Sequence, residues 1–268
     1  MRKLLFLFLC GSVFTGYGQE ADTTKIKLGD SNMTIAIEKN GKDQGYYNRY
    51  RRKDKILGDH KYAHWSGLDI GVGMLLNSSG GTSFTGADYL ENDPSASWTF
   101  NVNLFEHYFP IAKHHFGFVS GIGFNAVHYG FKRNYMIDFN YLDNEMTAEL
   151  DTVWNYTRNR LLVGYLQLPV LFQVNTSDDY RKNIHIAFGV LAGVRIGSDV
   201  KRKSKQNGEV YKYVERGSFF LNPFKLDATL RLGYRNWGIF GSYNLVPLFE
   251  TSVTQRANAV SFGLSFTW

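Results

Sequence analysis

The stretch Ile184-His185-Ile186-Ala187-Phe188-Gly189-Val190-Leu191-Ala192-Gly193-Val194-Arg195-Ile196 decides the fold. Ile184, Ile186, Phe188, Val190, Ala192, Val194 and Ile196 fall on one side of an extended chain. His185, Ala187, Gly189, Leu191, Gly193 and Arg195 fall on the other. Successive side chains of a strand point to opposite faces, so one face is apolar and the other small or polar. Residues 224–234 repeat the period. Phe224, Leu226, Ala228, Leu230, Leu232 and Tyr234 alternate with Lys225, Asp227, Thr229, Arg231 and Gly233. So do residues 260–268, with Val260, Phe262, Leu264, Phe266 and Trp268 against Ser261, Gly263, Ser265 and Thr267.

Similar runs at 65–76, 97–109, 115–131, 161–174 and 236–246 bring the candidate strands to eight. Their lengths suit the roughly 9–11 residues that a tilted membrane strand needs. Strands of soluble sandwiches are nearer about five or six. The links alternate between short (110–114, 175–182, 235–236) and long (77–96, 132–160, 198–222, 247–257). Outer-membrane barrels have short periplasmic turns and longer external loops, and an even strand number leaves both barrel ends on the periplasmic side. The expectation is an all-β fold: an up-and-down antiparallel transmembrane β-barrel of eight strands over residues 65–268.

The composition agrees. Hydrophobic residues make up 44% of the 268, yet mean hydropathy is only −0.28. No apolar run approaches the roughly 18 residues of a spanning helix. The 17 Tyr, 21 Phe and 27 Gly against 5 Pro favour strands with tight side-chain packing.

Residues 1–18 read as a cleaved signal peptide. Arg2 and Lys3 form the charged start, residues 4–10 the apolar centre, and Gly16 and Gly18 the small residues before a cut at Gln19. Their removal leaves 28 basic against 24 acidic residues, a net charge of +4, and takes away Cys10, the only cysteine. Disulfides and a thiol nucleophile are then excluded. An exported chain does not meet cellular nucleic acid, so the basic balance does not imply that partner.

Residues 19–64 read as a periplasmic hairpin and a basic linker. Ile26 and Leu28 face Met33, Ile35 and Ile37 across Gly29-Asp30-Ser31-Asn32. Residues 39–61 are too polar to build a core. Their run Asn48-Arg49-Tyr50-Arg51-Arg52-Lys53 reads as a solvated tether, with contact to anionic lipid head groups or another envelope component as the alternative.

On the inward face the alternation places Asp69, Asn101, Asn103, His107, Gln167, Gln173, Arg195, Lys225, Asp227, Arg231 and Asn244. Gly71, Gly73, Gly121, Gly123, Gly189, Gly193 and Gly233 share it, which leaves room for long side chains. An eight-stranded barrel is just wide enough for its interior to fill with side chains. Enclosed charges need partners. Asp69, Arg195, Lys225, Asp227 and Arg231 are therefore expected to form a compensated network that plugs the lumen. A narrow conduit or small-ligand site is the alternative. On the last strand, Phe262, Leu264, Phe266 and Trp268 form an alternating apolar run ending in an aromatic, which resembles the signal read by the barrel-assembly machinery.

Nothing selects an enzyme. The seven histidines are scattered, and His114-His115 would point apart on extended chain. No metal-protease, nucleophile-elbow or phosphate-loop motif occurs. The external rim offers Asp88, Glu91, Asp93, Asp138, Asp143 and Glu145 with Ser78, Ser79 or Ser83, but no spacing picks a set. No cofactor and no metal are expected.

His64-Trp65-Ser66-Gly67-Leu68-Asp69-Ile70-Gly71 resembles the opening of the barrel in PorT-like outer-membrane β-barrel proteins of the Bacteroidota. Asp22-Thr23-Thr24-Lys25-Ile26-Lys27-Leu28-Gly29 is similar to their mature N-termini. The resemblance implies an outer-membrane barrel and carries over no catalytic or binding residue. The functional expectation is an integral outer-membrane protein with a structural or partner-binding role, through its external loops or periplasmic segment. Its partners would be lipid, the assembly machinery and an envelope protein. A narrow pore or small-molecule transporter is the alternative, and an outer-membrane enzyme a more distant one.

Overall fold

The computed structural model describes residues 62–268 apart from 113–114, 133, 141–144, 178 and 207, together with the backbone of 23–28 and 31–36. The chain divides into two units, Met1–Gly58 and Asp59–Trp268. In the first, β1 (Thr23–Leu28) and β2 (Ser31–Ala36) pair antiparallel, with Leu28 opposite Ser31. This is the hairpin expected around Gly29-Asp30. The export segment over 1–18 and the basic tether over 39–61 lie outside the described residues.

The second unit runs β3 (Gly67–Leu76), β4 (Trp98–Ala112), β5 (Phe116–Gly130), β6 (Tyr135–Asn140), β7 (Glu145–Leu150), β8 (Tyr156–Asn175), β9 (Ile184–Gln206), β10 (Glu209–Arg216), β11 (Phe224–Tyr234), β12 (Trp237–Asn244) and β13 (Asn258–Thr267). Eight of these close an antiparallel ring in the order β3-β4-β5-β8-β9-β11-β12-β13, and β13 returns to β3. Closure removes the free edges that lipid would not tolerate. Two-residue register marks the tightest turn, where Tyr234 pairs with Trp237 and Arg235 takes the left-handed region at φ 57°. The long connections all lie at the opposite end, which is the external one.

The faces sort by solvent. Leu230 is 50% exposed and its neighbour Arg231 only 4%. Ile70, Ile122, Leu166, Ile186, Ile239 and Leu264 also point outward to the hydrocarbon. Trp98, Tyr234, Trp237 and Trp268 stand exposed at strand ends, where amphipathic rings meet the membrane interface.

Three departures from the sequence reading have physical causes. Pro110 sits inside β4, opposite Gly117, so the turn after it is shorter than the expected 110–114. Strand β9 runs on to Gln206 and turns back as β10, where a loop over 198–222 was expected. Above the membrane no lipid imposes an apolar face, so Lys201, Arg202, Lys203 and Ser204 do not alternate in the way that marks a membrane strand. Finally, the β4–β5 register shifts between Asn103 and Phe105. The extra residue, Leu104, is a bulge that exchanges the faces beyond it. His107 is therefore exposed rather than inward, and Tyr108 is buried in its place.

Candidate functional site

The interior of the barrel is built in three layers. At the periplasmic end, residues 62–66 enter the lumen ahead of β3 and are buried throughout. Buried backbone needs partners, and the strands supply them. One Glu106 oxygen, Oε2, accepts from the Trp65 and Ser66 N–H groups at 2.8 and 2.7 Å. Gln173 accepts from the His64 N–H at 3.2 Å and donates to the Tyr62 carbonyl. Asn175 donates to the same carbonyl at 3.1 Å. His64 stacks on His185 with ring centres 3.8 Å apart, and Asn183 lies 3.1 Å from its Nε2. His64 precedes the spanning strands, and burial lowers its pKa to about 4. Trp65, fully buried, lies over Gly121 and Gly123. A Cβ there would stand 3.0 and 3.3 Å from its ring. Those glycines thus make room for an indole rather than for the long cations expected from the sequence.

The middle layer is polar. Arg231 grips Asp69 through two bonds, Nη1 to Oδ2 at 3.1 Å and Nη2 to Oδ1 at 2.7 Å. Asn101 and Asn103 each donate to Asp69 at 3.1 Å. Arg231 also donates to Ser265 at 2.7 Å, and its guanidinium lies 5.1 Å from the Trp65 ring. Lys225 pairs with Asp227 at 2.9 Å and donates to Asn125 at 2.9 Å. Asn125 in turn donates to Asn101, which joins the two ion pairs into one belt. Two cations thus face two anions, all buried, and the fork geometry of Arg231 suits the carboxylate.

Arg195 stands apart from this belt. Asp227 pairs with Leu191 on β9, four positions before Arg195, and β11 begins at Phe224 opposite Val194. The Arg195 guanidinium instead donates to the Ser218 carbonyl at 2.5 Å. Of the five residues expected to form the network, Arg195 is therefore left out, and Asp227 pairs with Lys225.

The external layer is apolar. Leu75, Phe84, Leu90, Tyr129, Phe219 and Phe249 are among its large buried members, drawn from strand tops and from three of the long connections, and Ile137 and Met146 of the β6–β7 hairpin bring in the fourth. The turns Asp88–Leu90 and Pro94–Ala96 and the bridges Asn92–Phe131 and Leu221–Phe249 satisfy loop backbone locally. At the rim, Ser83 donates to Glu91 at 2.9 Å and Asp93 caps the second turn through Ser95. Among the described residues, no group of three His, Cys, Asp or Glu is placed to hold a metal ion.

A family model described as an outer membrane protein beta-barrel domain matches residues 58–252. The chain belongs to that family. It is an integral β-barrel protein of the cell outer membrane. Comparison with curated proteins and with solved structures finds no match. Beyond the matched residues, Phe262, Leu264 and Phe266 of β13 and Trp268 just after it all point outward, and Phe266 meets Trp237 edge-on at 5.0 Å. The sequence reading missed Glu106, Asn125 and Ser265 as members of the lumen. Asn125 and Ser265 lie on the inward alternation and could have been found by it. Glu106 requires the bulge to be seen first, and its sign is the apolar pair Leu104-Phe105 followed by a carboxylate that strict alternation would turn to lipid.

Proposed function

We propose that this outer-membrane barrel is neither an enzyme nor a conduit, and that its external hairpins bind an envelope or extracellular protein. The observation that carries the reading is β10. It pairs with β9 on one side only, and Val210, Tyr211, Tyr213 and Val214 along it are all exposed. An exposed edge strand is a template for strand addition, with main-chain bonds for affinity and alternate side chains for selection. Tyr is also enriched at protein interfaces. The three filled layers of the lumen support a scaffold rather than a pore. The finer likeness to PorT-like barrels rests on the His64–Trp65–Ser66–Gly67 stretch, and the reading of Phe266 and Trp268 as an assembly signal rests on their place at the end of β13 and just after it.

Photo-crosslinking residues at Tyr211 and Tyr213 in intact cells should give a discrete protein adduct, and one at Leu230 should give none. Planar-bilayer recordings should show no steady conductance. Adducts absent from a correctly assembled barrel, or a steady porin-like conductance, would overturn the reading.

A further inference from the structure

The outward face of the barrel changes character where it leaves the hydrocarbon. On β8 the outward residues Leu168, Leu166 and Leu162 are followed by Arg160 and Arg158. The register sets Arg160 beside Lys201, which lies beside Val214. One row higher, Arg158 lies beside Lys203, and Lys203 beside Lys212. Arg216 flanks the lower edge, opposite Asp199. Six cations thus share one face of three adjacent strands. Asp199 answers Lys201 at 3.3 Å. No carboxylate among the described residues pairs with Arg158, Arg160, Lys203 or Lys212.

Like charges directly opposite across strands are destabilising. Three such cross-strand contacts in one patch therefore call for an anion from outside the chain. Position and shape say which. Two clefts, of about 600 and 370 Å³, meet at Arg158 and Arg160, which line both. The smaller is the basic one. The larger is lined by Trp98, Tyr156, Phe131 and Asn134 together with Asp93, a set of aromatic and hydrogen-bonding side chains that suits a sugar. Trp98 is held on edge of the interface by stacking on His128 at 3.9 Å.

We propose that this face binds the phosphorylated sugar headgroup of an outer-leaflet glycolipid. The acyl chains lie along Leu162, Leu166 and Leu168. The phosphates sit on Arg158, Arg160, Lys203 and Lys212, where guanidinium forks can take them bidentately. The sugar enters the larger cleft beside Trp98 and Tyr156. The inference rests on the outer-membrane location and not on the partner reading of β10.

The test uses the full-length protein, purified in neutral detergent, and native mass spectrometry with bisphosphorylated lipid A, dephosphorylated lipid A and phosphatidylglycerol. The parent should retain the bisphosphorylated form about tenfold better than the dephosphorylated one. The variant Arg158→Gln/Lys203→Gln/Lys212→Gln should lose that preference. The same variant, freed of repulsion, should melt higher than the parent in lipid-free detergent, and lipid A should raise the melting temperature of the parent only. Equal retention of both lipid A forms, or equal retention by parent and variant, would overturn the site. Equal binding of phosphatidylglycerol would overturn its assignment to a glycolipid, and equal stabilisation by inorganic phosphate or by an acidic polypeptide its assignment to a lipid. If the triple variant lacks the gel shift of a folded barrel, Lys212→Glu alone, on the exposed edge strand, carries the same comparison.

Discussion

The two ends of the lumen are closed by opposite means. The periplasmic end holds a length of backbone, residues 62–66, answered by Glu106, Gln173 and Asn175. The external end is closed by side chains such as Phe84, Leu90, Phe219 and Phe249. The difference follows from what each closure is made of. An extended segment brings N–H and C=O groups that must be paired when buried. Loops that fold over a rim pair their own backbone in turns and bridges, and can offer apolar groups alone. The lower closure should therefore respond to charge and protons, and the upper one to lost volume.

The belt between them should give the largest effect. Asp69→Asn leaves Arg231 enclosed without its carboxylate, and breaking a buried pair in this way costs about 3–5 kcal/mol. Urea unfolding in detergent micelles measures it. The double variant Asp69→Asn/Arg231→Gln should lose less than the two single losses added together. Strict additivity would show that the belt is not one coupled unit and would detach it from both closures.

Next comes the external layer. Leu90 is fully buried in the turn Asp88–Leu90. Leu90→Ala should cost about 2–5 kcal/mol, but locally. The expected sign is faster proteolysis within 77–97 with an unchanged shift of the barrel on unboiled gels. A matching fall in global unfolding free energy would mean that cap and barrel open together, and the contrast between the two ends would weaken.

Much of this was legible in the sequence because lipid imposes a pattern. Where one face of a strand must be apolar, as for Ile186 or Leu230, alternation fixes both the strand and its facing. Legibility fails where that constraint ends. Strand β9 beyond Ile196 lies above the membrane and reads as polar loop, so the β9–β10 hairpin and its cationic face were hidden. Two apolar residues in a row, Leu104 and Phe105, and a Glu106 that unbroken alternation would turn to lipid are the local signs of the bulge, and strict alternation passes over them. His64 and Trp65 resemble the start of a strand, because an extended segment buried in a lumen has the same composition as one buried in a sheet. Arg195 sits on the inward alternation, yet the register of β11 carries it past Asp227, and register is a tertiary fact.

The lower closure should also sense pH. His64 has its pKa lowered by burial from the ordinary 6.5 to about 4. On acidification the unfolded chain takes up the proton first, so stability falls as pH drops from 6.5 towards 4 and levels off below. The shift is equivalent to roughly 3 kcal/mol at most. Unfolding at pH 7.5 and at pH 4.5, compared between the parent and His64→Gln, isolates this share from that of the carboxylates. An equal pH dependence in both proteins would mean that His64 keeps access to protons from water and that residues 62–66 are not a sealed closure.

The smallest effect sharpens the same end through the bulge. Glu106 accepts two backbone N–H bonds at one carboxylate oxygen, and charged acceptors make bonds roughly twice as strong as neutral ones. Glu106→Gln keeps an acceptor of the same size and removes only the charge, so the loss should be about 1–3 kcal/mol. Its neighbour His107 is exposed on the opposite face, touching Phe109 edge-on at 4.3 Å. His107→Gln should therefore leave the closure intact. Hydrogen exchange of the Trp65 and Ser66 amides reads both variants, since those are the groups that Glu106 holds. Faster exchange in Glu106→Gln alone fits a face exchanged at Leu104. The reverse order would restore the unbroken alternation of β4, put His107 back inside the lumen, and leave the periplasmic backbone without its anionic anchor.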